Sequence, residues 1–339
     1  MTAGLQVREQ DTRILAGPSG PRLWLSANGG YIASRVGQAL LAVLGVYVLV
    51  FVIVTVLPGD PVSSQLRNPE NNYSEEEIAR LLAYYKLDRS VFEQLGIALG
   101  RLFSGDLGLS ISSHRPVSAV LWEGIPSTLQ LAGTAFVFAT ILAFLIALAA
   151  IYVPARFGGA VFRAFPPLFL SMPNFLIGLV IIDIFSFQLG FFAINDYDSI
   201  NALIYPAITL AIPASAPIAQ IFLTALDDAR AQQYSTVAIS KGISRIGLFG
   251  RHLLPNAALP TLTITAIIVG DLLGGSVLTE AIFGRTGIGS IIQTAATEQD
   301  VPVLQAAVTL AAVLFLTINL VVDLIYPVLD PRLRKAAAT

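Results

Sequence analysis

Cysteine is absent from this 339-residue chain, which excludes disulfide frameworks, thiolate metal sites and cysteine nucleophiles. Charge is scarce as well. Only 12 % of residues are Asp, Glu, Lys or Arg, against roughly a quarter in ordinary soluble domains, and that shortfall excludes a soluble enzyme. Twenty basic residues against twenty-two acidic ones leave a formal charge of -2, so the basic excess that nucleic-acid binding requires is missing. The only lysines, Lys86, Lys241 and Lys335, follow Tyr85, Ser240 and Arg334, so no Gly-Lys-Ser or Gly-Lys-Thr exists to cradle a nucleotide phosphate. A Gly-x-Ser-x-Gly nucleophile elbow is also lacking.

What the chain has instead is apolar length: 55 % of its residues are hydrophobic. Residues 1–30 are polar and rich in Gly, Pro and Arg and read as a disordered tail. No charged side chain lies between Arg35 and Asp60, and a helix over that interval is long enough to cross ~30 Å of hydrocarbon. Five further nearly charge-free runs cover 124–155, 164–189, 202–226, 253–278 and 304–327. The expectation is an all-α polytopic membrane protein with six transmembrane helices, because a chain in lipid must satisfy its own backbone hydrogen bonds. Its parts are a first span at 31–57, a loop domain at 58–123, a core at 124–327 and a tail at 328–339.

Orientation follows from Lys and Arg in the short connections. Arg8, Arg13 and Arg22 precede the first span and Arg35 lies near its start, Arg156 and Arg163 follow the second, Arg230, Lys241, Arg245 and Arg251 follow the fourth, and Arg332, Arg334 and Lys335 end the chain. Both termini are therefore expected on the cytoplasmic side. The long loop has six bases and nine acids, but loops of about sixty residues are translocated with little regard to charge. It should be folded: Ser74 and Glu77 form a capping-box pattern, and Val91 to Phe103 spaces its apolar residues as an amphipathic helix ended by Gly105, Asp106 and Gly108.

The connection from Asp227 to Asn256 is unusual, since a reversal between two spans needs only a few residues. Helix formers lead to Lys241, Gly242 interrupts, and Ile243 to Leu254 resumes the pattern before Pro255. The result is a helix, a glycine break and a second helix, an elbow built to meet another protein.

Ala238, three residues, Gly242, nine residues, then His252-Leu253-Leu254-Pro255 resembles the cytoplasmic signature of permease subunits in ATP-binding-cassette importers. Thr236 and Val237 stand where the general signature has Glu and Ala, and His252 where it has Ile. Lys241 before Gly242, Arg251 before His252, and Asn256 resemble the dipeptide, oligopeptide and nickel branch. Leu57-Pro58-Gly59-Asp60-Pro61, Gly105-Asp106-Leu107-Gly108, Ile125-Pro126-Ser127-Thr128-Leu129 and Asp330-Pro331-Arg332 agree with that branch. The resemblance implies a type I importer permease of a bacterial inner membrane that binds no cofactor itself and forms half of a pathway. It further implies a second homologous permease, two ATPase subunits carrying ATP and Mg, and an extracytoplasmic solute-binding protein. Ala238, Lys241, Gly242, His252, Leu254, Pro255 and Asn256 would then couple the elbow to an ATPase.

Asp183, Asp271 and Asp323 lie in or beside spans, where an ionisable group is costly and marks function by default. Asp271, flanked by Gly270 and Gly274, is expected to face the bundle and hydrogen-bond there. A proton-coupled carrier using Asp271 is the rival reading. Asp271 and Glu280 are the expected pathway residues, with Thr279 beside them, whereas Asp323 and Asn319 read as a contact one turn apart. His114 and His252 fall on opposite membrane faces, which disfavours a paired-histidine metal site.

Overall fold

The computed structural model describes residues 29–56, 89–194 and 199–329, with short pieces between 74 and 80. The expected N-terminal tail, the Glu77 half of the capping box, the Leu57–Pro61 motif and the Asp330–Arg332 motif lie outside the described residues. Within them the chain is helical: α1 Gly29–Val56, α2 Val91–Ser104, α3 Val117–Tyr152, α4 Gly159–Phe162, α5 Phe165–Ser171, α6 Asn174–Ile181, α7 Asn201–Ala231, α8 Gln233–Ser240, α9 Arg245–Leu248, α10 Leu254–Phe283, α11 Ile288–Thr297 and α12 Val301–Leu329. Five helices are long and apolar enough to span a membrane, and six spans result if one bent pair counts as a span.

That bent pair lies where the third span is expected, over 164–189. The chain turns by 105° between 159–171 and 174–188. The cause is local: a residue before proline is driven out of the helical region, and Met172, before Pro173, sits at φ -94, ψ 123. Pro173 then starts α6, which passes into a π-helical stretch, Ile182–Gln188. Two other boundaries shift. The helix of the second span begins at Val117, seven residues before its expected start, and α7 runs on to Ala231, absorbing the first residues of the elbow.

The core lies where α3, α7 and α10 cross, with Leu131, Ala135, Ala143, Ala207, Leu210, Ile218, Ala219, Ile268 and Leu272 buried together. Small residues dominate, as close helix approach in lipid demands. Proline in α7 also does more than bend. Pro206 has no N–H for the carbonyl of Ala202 four residues back, and that freed carbonyl accepts Nη1 of Arg285 at 3.0 Å. The guanidinium also reaches Gln130 Oε1 at 3.4 Å, so one side chain just beyond α10 ties α3 to the start of α7.

Asp300 is a second tie, which the sequence showed only as an acid in a loop. It is 1 % exposed and accepts from Ser110 Oγ at 2.5 Å and from Ser112 N–H and Oγ at 3.2 and 2.9 Å. Its other oxygen caps α12 by accepting from Val303 N–H at 3.4 Å. Charge-assisted bonds contribute roughly 1.5–3 kcal/mol each and a lost cap about 1 kcal/mol. Asp300→Ala should therefore destabilise the detergent-solubilised chain by several kcal/mol, and Asp300→Asn by clearly less, in thermal unfolding.

Candidate functional site: the elbow between α7 and α10

The elbow begins where Gln232, extended at φ -70, ψ 150, breaks α7 from α8. Ser235 pins that break: it is fully buried, and its Oγ donates to the Ala229 carbonyl at 2.8 Å. Helix α8 ends in a Schellman turn. Gly242 takes φ +79, its N–H donates to Ile239 O at 2.9 Å, and Ile243 N–H donates to Ala238 O at 3.2 Å, the bond pair that satisfies the last carbonyls of a helix. Ser244 then caps α9 by accepting from Gly247 N–H at 3.1 Å, and a π-helical stretch, Phe249–Leu253, leads into α10 with Pro255 in its first turn.

The elbow is rooted, not hinged. Ala238, Leu248 and Leu253 are buried in one cluster with Ala147, Phe222, Leu226, Ala229 and Ala257, and Ile243, Phe249 and Leu254 pack against it. The rings of Phe144 and Phe222 meet at 4.5 Å beneath it. Closely packed apolar groups transmit displacement instead of absorbing it, so a push on α8 reaches α3, α7 and α10 together. Arg163 adds a bidentate pair with Asp227, at 2.6 and 3.1 Å. With side chains 46 % and 45 % exposed, that pair contributes only ~0–1 kcal/mol.

The structure brings the expected coupling residues together. Ala238 faces the cluster, Lys241 is exposed at the turn, Leu254 packs on the cluster, and Pro255 and Asn256 are exposed at the start of α10. Asn256 Nδ2 donates to His252 O at 2.7 Å, and the His252 ring lies 6.2 Å from that of Tyr234. Sequence reasoning missed the exposed apolar side chains of the elbow, where Tyr234, Val237, Ile239 and Ile246 are 37 %, 52 %, 55 % and 79 % exposed. Helical spacing around Ala238 was the available signal: if Ala238 is inward, Val237 and Ile239 are not. Exposed apolar side chains beside a lysine, on so firmly rooted a projection, have the composition of an interaction site.

The carboxylates separate. Asp271 does not face the bundle of this chain. It is exposed and shares a stripe with Ile267, Gly274 and Leu278, spaced four, seven and eleven residues along α10. Gly270 turns inward, against the Asn319 amide of α12, and Gly274 outward, with nothing near it. Glu280, expected with Asp271, faces the other way. It is 0 % exposed, accepts from Gly289 N–H at 2.7 Å and lies beside Thr128, which accepts from Ile288 N–H at 2.9 Å. Glu280 thus holds the turn before α11. Thr279 is buried with it and accepts from Asn174 Nδ2 at 3.2 Å. Asp183 is exposed and accepts from Gln188 Nε2 at 2.7 Å, while Asp323 pairs with Arg35 at 3.5 Å and joins α12 to α1.

Known proteins match this architecture. A family model described as a binding-protein-dependent transport system inner membrane component matches residues 139–335. A Brucella abortus protein named as a peptide transport system permease is 32 % identical over 311 residues, covering 89 % of this chain and 98 % of the relative. The glutathione transport system permease protein GsiC of Escherichia coli is 31 % identical over 304 residues, covering 90 % and 98 %. A chain from an inward-facing structure of the methionine transporter MetNI superposes with a TM-score of 0.54 at 18 % identity, over 63 % of this chain and 98 % of that one, which shows the fold. The elbow, the permease fold and relatives matched almost end to end lead to one conclusion: the chain belongs to the binding-protein-dependent inner-membrane permeases of ATP-binding-cassette importers, in their dipeptide and oligopeptide family.

Proposed function

We propose that this chain forms half of the translocation pathway of an ATP-driven importer for di- or oligopeptides or similar small solutes, and that the elbow at 227–256 is its contact with an ATPase. As a permease it works with ATPase subunits and a solute-binding protein. The finer assembly in this reading is one second, homologous permease and two ATPases that bind ATP and Mg, with both termini of the chain in the cytoplasm. The observation that carries the proposal is the rooted elbow with its exposed apolar side chains, and the names of the peptide and glutathione relatives support the cargo class.

In this reading Ala238, turned into the cluster, seats α8 on the bundle, and Gly242 shapes the turn that enters the ATPase groove. Lys241 meets its acids, and Leu254, Pro255, His252 and Asn256 carry the movement into α10. Nucleotide-driven closure of the ATPases then tilts α3, α7 and α10 as one body. The test is the energy source. In proteoliposomes holding the assembled transporter, uptake should require ATP inside the ATPase compartment and persist when the proton gradient is collapsed. Uptake that follows the gradient without ATP, and is lost in Asp271→Asn, would establish the proton-carrier reading instead.

Asp271 supports the position of the pathway. It lies 17 residues from the start and 12 from the end of α10, about 26 Å and 18 Å along the axis, so the carboxylate stands well inside the bilayer. Facing lipid there is costly, and a face turned toward a second permease and a hydrated route removes that cost. The chain has no native cysteine, so a single-cysteine variant carries one thiol of its own, and labelling is read on this chain after the subunits are separated. Asp271→Cys and Gly274→Cys should react with a membrane-impermeant thiol reagent in the assembled transporter, whereas Leu272→Cys, buried at 3 %, should not.

A further inference from the structure

The end of α10 remote from the elbow borders a cavity of about 270 Å³, lined by the start of α3, the start of α7 and residues 192–194. Pockets for drug-sized ligands begin at roughly 300 Å³, so this one suits a solute of a few residues at most. Its apolar wall is packed in place: Phe192 stacks on Tyr205 with ring centres 4.4 Å apart and on Phe283 at 6.2 Å.

Arg285 and Glu123 bring charge to this wall. The Arg285 guanidinium has five N–H donors, and the two acceptors it meets, Ala202 O and Gln130 Oε1, are both neutral. Its Nε is buried without a partner, and among the described residues it forms no ion pair. Burial pulls its pKa below the ordinary arginine value, and the nearby Glu280 offsets only part of that. The Glu280 carboxylate is itself engaged by Gly289 N–H. A planar cation held in place by neutral oxygens is prepared for a carboxylate, whose two oxygens match its fork.

Glu123 supplies the opposite charge at the rim. It pairs with Arg115, whose Nη1 lies 3.3 Å from its Oε2, but the side chains are 62 % and 49 % exposed, and such surface pairs exchange readily. Glu123 precedes Gln130, the contact of Arg285, by seven residues on α3, about 10 Å along the axis. An extended chain advances ~3.3–3.6 Å per residue, which puts the two charged ends of a di- or tripeptide ~7–11 Å apart. The cavity presents the complementary charges at a matching spacing.

We propose that this cavity receives zwitterionic cargo: the carboxylate of a short peptide meets Arg285, its ammonium meets Glu123, and its side chains lie against Phe192 and Phe283. The proposal rests on the importer reading above, in which the elbow faces the ATPase and the other end of α10 faces arriving solute. One fixed cation and one exchangeable anion favour a molecule bearing both charges over a molecule bearing either alone.

The test is saturation-transfer NMR on the assembled transporter in nanodiscs, without nucleotide or solute-binding protein, titrating dialanine, dialanine amide and N-acetyl-dialanine. Dialanine should bind best, with the amide weaker by roughly tenfold, the loss of one charge-assisted contact, and the N-acetyl form weakened less because Glu123 is exposed. Arg285→Gln should erase the preference for acid over amide, and Arg285→Lys should keep part of it. Glu123→Gln, on the exposed rim, should erase only the preference for the free amine, which tests the site even where Arg285→Gln loosens the tie between α3 and α7. Equal binding of acid and amide to the parent, no binding of dialanine, or a preference for the acid that survives Arg285→Gln would overturn the proposal. So would a cavity that ignores dialanine while Arg285→Gln releases the solute-binding protein, which would give the site to an acidic side chain of that protein. None of these readings uses ATP: ATP-driven uptake without dialanine binding sinks this inference alone, whereas gradient-driven uptake sinks the importer reading.

Discussion

Gly242→Val is expected to leave a chain that folds and reaches the membrane but to reduce ATP-driven uptake by a factor of roughly 5–30, the equivalent of one or two kcal/mol. The argument is conformational. Gly242 holds φ +79, and a Cβ added there would meet nothing within 4 Å, so the substitution clashes with no neighbour. The cost is backbone strain, about 1–2 kcal/mol for an L-residue in the left-handed region and most severe for a β-branched one. Relief requires the Schellman turn to open, which lifts Ile243 off its cluster and lets α8 swing free of α7. A loosened elbow transmits less of the ATPase stroke. ATP hydrolysis should therefore persist while uptake falls, and Gly242→Asn, which tolerates left-handed backbone, should retain most of the uptake. Equal loss in both variants would show that the position needs small size and not its backbone geometry.

Gly289→Ala should act on the fold itself. Its added Cβ would stand 2.2 Å from Val277 O and 2.4 Å from Val277 Cα. These are backbone atoms in the last turns of α10, which cannot step aside as a side chain can. Overpacking a tight site costs typically 1–3 kcal/mol, and a clash with helix backbone belongs at or above the top of that range. The shift would also break the bond from Gly289 N–H to Glu280 and expose a carboxylate that the fold keeps wholly buried. The expected outcome is a sharply lowered yield of folded chain and a lowered thermal transition. Glu280→Gln, which keeps an acceptor in place, should be milder than Glu280→Ala. A Gly289→Ala chain as stable as the parent would contradict the close packing of α11 on α10.

Much of this was legible in the residues. The absence of charge from Val36 to Gly59 and its recurrence in Asp227 to Asn256 marked span and elbow, because lipid and water sort side chains by charge before any packing is decided. Gly242 and Pro255 marked the bend for the same kind of local reason. The break at Met172 was present as a residue before proline, but hydropathy sums composition and is blind to angle, so the third run read as a span with no bend marked in it. The orientation of Asp271 was not readable, since α10 is apolar on most of its circumference and a stripe of Ile267, Gly274 and Leu278 looks no different from its neighbours until the packing of Leu272 and Leu273 fixes the rotation. Asp300 with Ser110 and Ser112, and Glu280 with Gly289, are partners across loops. Their spacing in the chain carries no signal, and only folding brings them within reach.

The elbow's role is tested most directly by placing a photoreactive side chain at Val237, on the exposed face of α8, and irradiating native membranes. A covalent adduct with the mass of this chain plus an ATPase subunit, abolished when that subunit is deleted, is the predicted result. Irradiation that yields no such adduct in membranes active for ATP-driven uptake would contradict the account.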